Sequence, residues 1–235
     1  MRIIAAKSLL KANDQRAAEN RAKLDAAGVF GLNVVGSPGS GKTTLLEALL
    51  AQLKNRVRPI VIEGDIAGSI DAERIARLGV PVVQINTGGA CHLDANMVAA
   101  ALEGLDCDGI DLLVIENVGN LVCTAGYDLG EHLRVIVLGT SEGDDKAVKY
   151  PAIFQGSDAL FITKMDLLPH SNFSIERITA DVKRLAPKAE IFPVAALGGE
   201  GIPGEGIPAA ADWLAQKCGT GQLPLSATGR GFTVA

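Results

Sequence analysis

Short apolar runs alternate with longer amphipathic stretches along most of the chain. The runs are bounded by glycine, proline and charged residues, as buried strands are, and the stretches between them repeat apolar residues at helical spacing. Strands that alternate with helices build a mainly parallel sheet covered by helices on both faces, so the pattern predicts an α/β fold. The predicted strands are 29–35, 58–63, 82–86, 110–116, 134–138, 159–163 and 190–194, and the main predicted helices are 8–27, 43–54, 71–78, 94–105, 174–185 and 203–216.

The predicted elements form one large unit with a flank at each end. A chain of 235 residues that is 48% hydrophobic can bury one substantial core, so we expect a single α/β domain over residues 29–217. The charged, alanine-rich helix before the first strand predicts a helical extension over residues 1–28. Residues 218–235 are rich in glycine, threonine and proline and predict a flexible tail.

Composition restricts the partners and the compartment. A net charge of -5 disfavours nucleic acid as a partner, because phosphate binding needs a basic face. No apolar run reaches the roughly 20 residues that span a bilayer, and the first residues lack a secretory leader pattern. We therefore expect a cytoplasmic protein with no membrane and no nucleic-acid partner. Its four cysteines should stay reduced and act as metal ligands or nucleophiles, not as disulfides.

The sequence GSPGSGKT at 36–43 lies between a predicted strand and a predicted helix, which is the context of a P-loop. Glycines let successive backbone N–H groups converge on a phosphate, and the positive end of the following helix faces the same anion. We expect Lys42 to reach the β and γ phosphates and the Thr43 hydroxyl to bind Mg²⁺. The predicted nucleotide contacts here are Gly36, Ser37, Gly39, Ser40, Gly41, Lys42 and Thr43.

Carboxylates stand at the ends of two predicted strands, where ligands bind in open α/β sheets. Asp65 follows the second strand, where it would hold Mg²⁺ through water or orient the attacking water. Glu116 ends the fourth strand, as a Walker B carboxylate does, and with Gly119 forms an ExxG variant of the DxxG γ-phosphate sensor. Either carboxylate alone is compatible with a solvated strand end. Two of them in a chain with a P-loop indicate nucleotide hydrolysis, with Lys42, Asp65 and Glu116 as catalytic residues.

The base is indicated by the sequence TKMD, which closes the strand 159–163. It is close to the NKxD pattern, in which the aspartate, here Asp166, accepts two hydrogen bonds from the guanine edge. Adenine offers no such donors and would leave Asp166 unpaired, so the pattern predicts GTP. We expect Lys164 to lay its aliphatic stem over the base and the Ala196 amide to reach the guanine oxygen. Thr163 replaces the usual asparagine, which removes an amide that braces the loop.

Two further polar loops follow the third and fourth predicted strands and so end on the same rim of the sheet. They carry Cys91, His92 and Cys123, a soft three-ligand set suited to Ni²⁺ or Zn²⁺. The fourth ligand could be water, Asp94 or a group from a second subunit. A Cys-His dipeptide alone is often incidental, but Cys123 lies four residues after the ExxG glycine, which would couple metal geometry to the nucleotide. Cys107 and Cys218 have no such neighbours and are interpreted as packing residues.

Taken together, these blocks resemble the HypB family, the GTPases of nickel-iron hydrogenase maturation. The resemblance rests on the P-loop and on the sequences AENRA, EGDIAGSIDAERI, TGGACHLDA, ENVGNLVC, EGDDKAVKYP and TKMDLLP. It implies a SIMIBI-class P-loop GTPase that forms a homodimer on GTP binding. It also implies help in inserting Ni²⁺ into the hydrogenase large-subunit precursor, together with a HypA-type nickel chaperone. On the matching positions the family's metal site falls on Cys91, His92 and Cys123, and its phosphate contacts extend to Thr44.

The sequence departs from some members of that family. It contains neither an N-terminal cysteine motif nor a histidine-rich tract, since its first cysteine is Cys91 and its first histidine is His92. We therefore predict no high-affinity or large-capacity nickel storage. Thr124 stands where the family often has proline, which loosens the metal loop without removing ligands. No arginine finger is identifiable, so intrinsic turnover should be slow, and Lys146 and Lys149 are candidates for a contact across the dimer.

Two other functions compete with this interpretation. A urease-type nickel-insertion GTPase is the nearest by mechanism, but its metal motif is Cys-Pro-His, whereas Cys91 and His92 are adjacent. A small-molecule kinase would use the same P-loop, bind an acceptor in the rim loops and use Cys91 and His92 for packing or substrate contact. The TKMD and ExxG patterns disfavour the kinase.

Overall fold

A computed structural model of the chain describes residues 6–197 and 204–219. Within these residues the strands are β1 (Phe30–Gly36), β2 (Pro59–Asp65), β3 (Val82–Asn86), β4 (Leu112–Glu116), β5 (Leu133–Gly139), β6 (Ala159–Thr163) and β7 (Glu190–Pro193). The α-helices are α1 (Ala6–Ala27), α2 (Lys42–Leu53), α3 (Ile70–Ala76), α4 (Ala95–Glu103), α5 (Lys146–Lys149), α6 (Pro151–Gln155), α7 (Ile175–Leu185) and α8 (Ile207–Lys217). Short 3₁₀ turns follow β4, β5 and β6 at Cys123–Gly126, Thr140–Glu142 and Met165–His170.

The seven strands form one sheet in the order β3-β2-β4-β1-β5-β6-β7, and every pairing is parallel. The predicted α/β fold with a parallel sheet is confirmed, and each predicted strand begins and ends within two residues of an observed one. The helices α5 and α6 were not predicted, because each is too short to show a helical period. Residue 203 and most of the predicted tail 218–235 lie outside the described residues.

Helices cover both faces of the sheet. On one face α2 and α8 pack against β1, β5 and β6, with Leu46, Leu50 and Leu214 buried. On the other face α6 and α7 cover β5 and β6, and α4 covers β2 and β4. Trp213 of α8 packs against Phe192, with ring centroids 5.3 Å apart. Buried side chains of this size contribute roughly 1.5–3 kcal/mol each.

Helix α1 lies against α4 and is anchored by buried amide side chains. The Asn20 Nδ2 donates to the carbonyls of Ala95 at 2.9 Å and Leu129 at 3.0 Å. The Ala95 N–H donates to the Asn13 side-chain oxygen at 2.9 Å, at the start of α4. Buried polar groups are stabilised only when they are hydrogen-bonded, and here both partners gain a bond. The division of the chain at residue 28 stays a prediction. None of the described helices is both long and apolar enough to cross a membrane.

The parallel arrangement brings the carboxyl ends of all strands to one edge of the sheet. β1 lies at the centre, between β4 and β5, so the loop after it is flanked by the exits of both neighbours. Ligands of open α/β sheets bind at this edge. The predicted site residues end or follow β1, β2, β3, β4, β6 and β7 and therefore lie along one rim.

Candidate functional site

The loop after β1 has the tight backbone that a phosphate cradle requires. A Cβ at Gly36 would lie 2.5 Å from the Val137 carbonyl oxygen, so only glycine fits where β1 ends. Gly41 has a φ of 93°, in the left-handed region that favours glycine, and directly precedes α2. The N-terminus of α2 therefore opens into the loop, where its free N–H groups and positive dipole end can bind an anion.

Lys42, the first residue of α2, is 8% exposed, and its ammonium is directed back over the loop. Its Nζ lies 3.5 Å from the Gly36 carbonyl oxygen and 3.4 Å from that of Ser37. These contacts are long, so the buried charge is only weakly satisfied by the protein. The Ser40 hydroxyl is buried with no hydrogen-bond partner among the described residues. Both groups suit a phosphate ligand in the loop.

A cavity of about 480 Å³ opens above this loop. The structure brings together there most of the residues predicted from the sequence for phosphate and Mg²⁺, including both strand-end carboxylates. Its lining residues are Pro38, Gly39, Gly41, Lys42, Thr43, Thr44, Glu63, Gly64, Asp65, Ile66, Asp71, Arg74, Glu116, Asn117, Val118, Gly119 and Lys164.

Thr43 and Glu116 meet at the floor of the cavity. The Thr43 hydroxyl donates to the Glu116 Oε1 at 2.8 Å, and the Glu116 Oε2 is buried without a partner among the described residues. Hydroxyl and carboxylate oxygens are ligands that Mg²⁺ accepts, so this pair fits the cation. Asp65 instead accepts hydrogen bonds from the N–H groups of Ile66 at 2.6 Å and Gly68 at 3.1 Å, which fold its carboxylate into its own loop.

Glu63 is a cavity residue that sequence reasoning missed. It is 3% exposed and pairs in register with Glu116 across β2 and β4, so two carboxyl groups lie side by side. Burial and the neighbouring Glu116 raise the pKa of Glu63 to about 10, against a smaller effect of Lys42. Burial also raises the pKa of Glu116, against the opposing effects of Lys42 and Thr43. The pair therefore holds a proton near neutral pH. Only the strand register places Glu63 beside Glu116, and a single sequence does not give that register.

Arg74 of α3 is a second missed residue in the cavity wall. Its guanidinium donates to the Thr44 hydroxyl at 2.9 Å and forms an ion pair with Glu47 at 2.6 Å and with Asp71 at 3.1 Å. Glu47, followed by Asp71, raises the pKa of Arg74, so the side chain stays charged. An arginine therefore lies beside Thr44, the residue directly after the P-loop, and is held by carboxylates from α2 and α3.

The predicted base-binding residues surround a smaller cavity of about 240 Å³, lined by Thr163, Lys164, Asp166 and Ala196 among others. Lys164 has a φ of 58°, which is uncommon for a residue with a side chain, and its Nζ donates to the Gly39 carbonyl at 2.7 Å. The Thr163 hydroxyl donates to the Ser40 carbonyl at 2.5 Å. Thr163 thus provides a brace between this loop and the P-loop, although the asparagine amide of the usual pattern is missing.

The loops after β3 and β4 bring Cys91, His92 and Cys123 together. One ligand atom from each lies within 4.8 Å of the other two, and the Cys91 sulfur is 3.6 Å from the His92 Nδ1. Burial lowers the pKa of His92, which favours the neutral imidazole that binds metals. Contact with the Cys91 sulfur raises the pKa of Cys123, while Asn120 opposes this shift. Two thiols and one imidazole fit Ni²⁺ or Zn²⁺ and leave a position open.

Tyr127 holds the imidazole of this cluster in place. Its ring centroid lies 3.9 Å from that of His92, at an angle of 38°. Sequence reasoning missed this contact, because the tyrosine follows the 3₁₀ turn that carries Cys123 and meets His92 only in the folded chain. The other two cysteines lie in different places: Cys107 packs with α4, and Cys218 lies at the end of α8, where burial raises its pKa to about 12.

These features define a P-loop nucleotide-binding protein with a thiol and imidazole cluster on the rim of its nucleotide site. Residues 31–193 match the nucleotide-binding domain of the CobW/HypB/UreG family. The chain belongs to this family and, within it, to the HypB group. The resemblance proposed from the sequence is therefore confirmed.

Relatives and solved structures agree with this assignment. HypB of Azotobacter vinelandii is 49% identical over 213 residues, which cover 90% of this chain and 68% of the relative. HypB of Escherichia coli K12 is 47% identical over 194 residues, with 83% and 67% covered. The chain thus spans about two thirds of the length of these relatives.

Among solved structures, HypB from Helicobacter pylori in complex with nickel has a TM-score of 0.82 and 37% identity, covering 92% of this chain and all of that one. HypB from Archaeoglobus fulgidus has a TM-score of 0.79 and 36% identity, covering 88% of this chain and 99% of that one.

Proposed function

We propose that the protein is a GTP-hydrolysing metallochaperone that dimerises on GTP binding and assists Ni²⁺ insertion into the nickel-iron hydrogenase large-subunit precursor. One observation carries the proposal: the loop after β4 lines the phosphate cavity with Asn117, Val118 and Gly119 and also carries Cys123, which meets Cys91 and His92 of the neighbouring loop. The nickel complex of the Helicobacter pylori HypB supports nickel as the cargo. A HypA-type nickel chaperone is the expected donor, and the expected setting is cytoplasmic, with no membrane and no nucleic-acid partner.

Guanine selection in this proposal depends on the small cavity at the exits of β6 and β7. Asp166 accepts two hydrogen bonds from the guanine edge, and Lys164 covers the base plane while its Nζ stays bonded to the P-loop. Ala196 offers its backbone N–H to the guanine oxygen. An adenine base would leave the Asp166 carboxylate unpaired, which costs about 1–3 kcal/mol.

Hydrolysis in this proposal is a matter of positioning and charge. Thr43 and Glu116 would hold Mg²⁺, which would supply positive charge beside the phosphates, and Lys42 supplies the positive charge of the loop. Gly119 presents its N–H to the γ-phosphate. Asp65 orients the attacking water, which requires its carboxylate to leave the N–H groups of its own loop. That rearrangement gives a reason for slow turnover in the isolated monomer.

Dimerisation is supported by the distribution of exposed apolar side chains. Six large apolar side chains are exposed in the described part of the chain, and all lie in segments that follow the carboxyl ends of strands; Ile66 lines the phosphate cavity, and Leu167 and Leu197 line the smaller cavity. A rim of this kind suits burial against a second copy. The members are Ile66, Ile70, Val122, Val148, Leu167 and Leu197.

A lysine of α5 is proposed to contact the nucleotide of the partner. Lys149 already pairs with Asp145 at 2.6 Å, so its ammonium would have to leave that carboxylate. The Lys146 ammonium lies 5.7 Å from the centroid of the Tyr150 ring, so it would lose a weaker contact than Lys149 on moving to the partner. Lys146→Ala should therefore reduce GTP-dependent dimerisation and hydrolysis more than Lys149→Ala. The idea fails if both variants retain wild-type values.

Sedimentation of the purified protein tests the whole proposal. The samples contain GDP or a non-hydrolysable GTP analogue, with and without Ni²⁺. The Cys91→Ala, Cys123→Ala double variant is compared with a matched Cys107→Ala, Cys218→Ala control. We expect the analogue to produce dimers and nickel binding to depend on the nucleotide in the wild type and the control, but not in the metal-site variant. Nucleotide binding without any response of assembly or metal would contradict the proposal and favour a kinase.

A further inference from the structure

A single segment connects the nucleotide cavity with the metal cluster. It leaves β4 after Glu116 and reaches Cys123 seven residues later. Two asparagines in it bond to the strand and loop that carry the phosphate site. The Asn117 N–H donates to the Val34 carbonyl at 2.9 Å, and the Asn120 N–H donates to the Gly36 carbonyl at 3.0 Å. The backbone of the segment is therefore fixed to β1 and to the first residue of the P-loop.

The side chain of Asn120 bonds in the opposite direction, toward the metal cluster. Its Oδ1 accepts from the Val122 N–H at 2.7 Å and from the Cys123 N–H at 2.9 Å. The Thr124 hydroxyl also donates to the Asn120 carbonyl at 2.8 Å. One residue thus bonds the P-loop through its own N–H and the backbone of a metal ligand through its side chain.

The side chain of Asn117 makes the equivalent link to the other two ligands. It is 2% exposed, and its Oδ1 accepts from the Leu93 N–H at 3.1 Å, directly after His92. Its Nδ2 donates to the fully buried Asn33 at 3.4 Å. A buried amide with bonds on both sides holds a loop more firmly than apolar packing does, because moving it would leave polar groups unpaired.

The buried polar chain continues beyond Asn33 and ends at the imidazole. The Asn33 Nδ2 donates to Glu131 at 3.0 Å, and Glu131 pairs with Arg134 at 2.6 Å. The Arg134 guanidinium donates to the Tyr127 carbonyl at 2.7 Å, and the Tyr127 ring packs against His92. The position of His92 is thus fixed through the hydrogen bonds of the same segment on one side and through an aromatic ring on the other.

We propose that Asn117 and Asn120 are positioning residues that transmit the state of the nucleotide site to the metal ligands. The inference rests on the proposed function and names the contacts through which its two sites communicate. When the P-loop and Gly119 adjust to a γ-phosphate, the Gly36 carbonyl moves the Asn120 backbone, and the Asn120 side chain moves Cys123. Asn117 keeps the loop of Cys91 and His92 in register with the same strand end.

Asn120 provides the test, because it is only half-buried and bonds backbone groups in a turn. Ni²⁺ affinity is measured from the thiolate-to-nickel charge-transfer absorbance with GDP and with a non-hydrolysable GTP analogue. We expect the wild-type affinities in the two states to differ by at least about fivefold. Asn120→Ala should reduce this ratio to within about twofold while nucleotide affinity is retained. Asn120→Asp keeps the acceptor oxygen and should restore the ratio.

Asn96→Ala is the matched control, because the side chain of this exposed asparagine on α4 bonds only to Arg16 among the described residues. The ratio of the Ni²⁺ affinities in the two nucleotide states should equal that of the wild type in this variant. Asn117→Ala, compared at matched secondary structure by circular dichroism, should lower the ratio as Asn120→Ala does. A wild-type ratio in Asn120→Ala, or an equal loss of affinity in both nucleotide states, would overturn the inference and leave the proposed function standing. If the wild type itself binds no nickel, or binds it equally with both nucleotides, the proposed function fails as well.

Discussion

The buried carboxyl of Glu63 should make the stability of the nucleotide-free protein depend on pH, and Glu63→Gln should reduce that dependence. Burial, the neighbouring Glu116 and then Asp71 raise the pKa of Glu63 from its ordinary value of 4.5 to about 10, although Lys42 opposes them. Between these two pH values the folded protein keeps a proton that the unfolded chain has lost. Folding then requires uptake of a proton, so the free energy of unfolding falls as the pH rises.

The size of the effect follows from the two pKa values. Stability is fully present below pH 4.5 and falls by up to about 1.4 kcal/mol for each pH unit above it, until the folded carboxyl also ionises near pH 10. At pH 7 the free energy of unfolding is therefore about 3 kcal/mol lower than below pH 4.5, which is a large fraction of the stability of an ordinary domain. Glutamine has the shape of the protonated carboxyl and no proton to take up, so the variant avoids this cost.

Urea denaturation without Mg²⁺ and nucleotide, at pH 6 and at pH 8, measures the difference. The advantage of Glu63→Gln over the wild type should grow by about 3 kcal/mol between the two pH values. The control is Glu190→Gln, which changes an exposed glutamate at the start of β7 and should keep the wild-type profile. Parallel pH profiles for Glu63→Gln and the wild type would mean that Glu63 is ionised in the folded protein, and the reasoning would be refuted.

Three further predictions concern packing and reactivity. Arg134→Met removes a pair with Glu131 in which the side chains are 12% and 6% exposed, and should lower the free energy of unfolding in urea by about 3–5 kcal/mol. Gly119→Ala would place a Cβ 3.0 Å from Pro38 of the P-loop, and should weaken binding of a fluorescent guanine nucleotide by about 1–3 kcal/mol. Cys218, with a pKa of about 12, should react with iodoacetamide at about pH 8 after the metal-site cysteines, as measured by peptide mass mapping.

Each of these three predictions has a control and an outcome that would contradict it. Arg184→Met breaks an ion pair in which the arginine is 68% exposed, and should cost no more than about 1 kcal/mol. Equal losses for the two arginine variants would show that burial of the Arg134 pair is unimportant. Gly104→Ala is the control, because the new Cβ has room and nucleotide binding should be normal. Normal binding by Gly119→Ala would show that the P-loop moves aside to accommodate the Cβ. Labelling of Cys218 at the rate of Cys91 would contradict the effect of burial on its thiol.

The sequence alone was sufficient to predict those features that depend on residues close together in the chain. The strands are continuous apolar runs closed by turn residues, and the P-loop is a contiguous motif between a strand and a helix, so both were predictable. The loops that carry Cys91 and Cys123 were predicted to share a rim because each follows a strand of a parallel sheet. The structure brings their ligand atoms within 4.8 Å of each other.

The remaining features depend on how distant segments align. Glu63 becomes part of the cavity only because β2 pairs with β4 in a register that sets it beside Glu116. Arg74 reaches Thr44 because α3 packs against α2, and Tyr127, which follows the 3₁₀ turn at Cys123–Gly126, meets His92 from a different loop. None of these contacts has a local signal, since each requires the three-dimensional neighbours to be known.

The aromatic side chains give the molecule two built-in optical probes. The chain contains one tryptophan and two tyrosines. Trp213 packs with Phe192 of β7 and Phe161 of β6, the strands whose following loops line the proposed base cavity, so its emission senses that edge of the sheet. Tyr127 lies against His92, so its near-ultraviolet circular dichroism senses the imidazole of the metal cluster. Tryptophan emission therefore follows one end of the site in an unlabelled sample, and the difference between the spectra of the wild type and Tyr127→Phe isolates the ring beside His92.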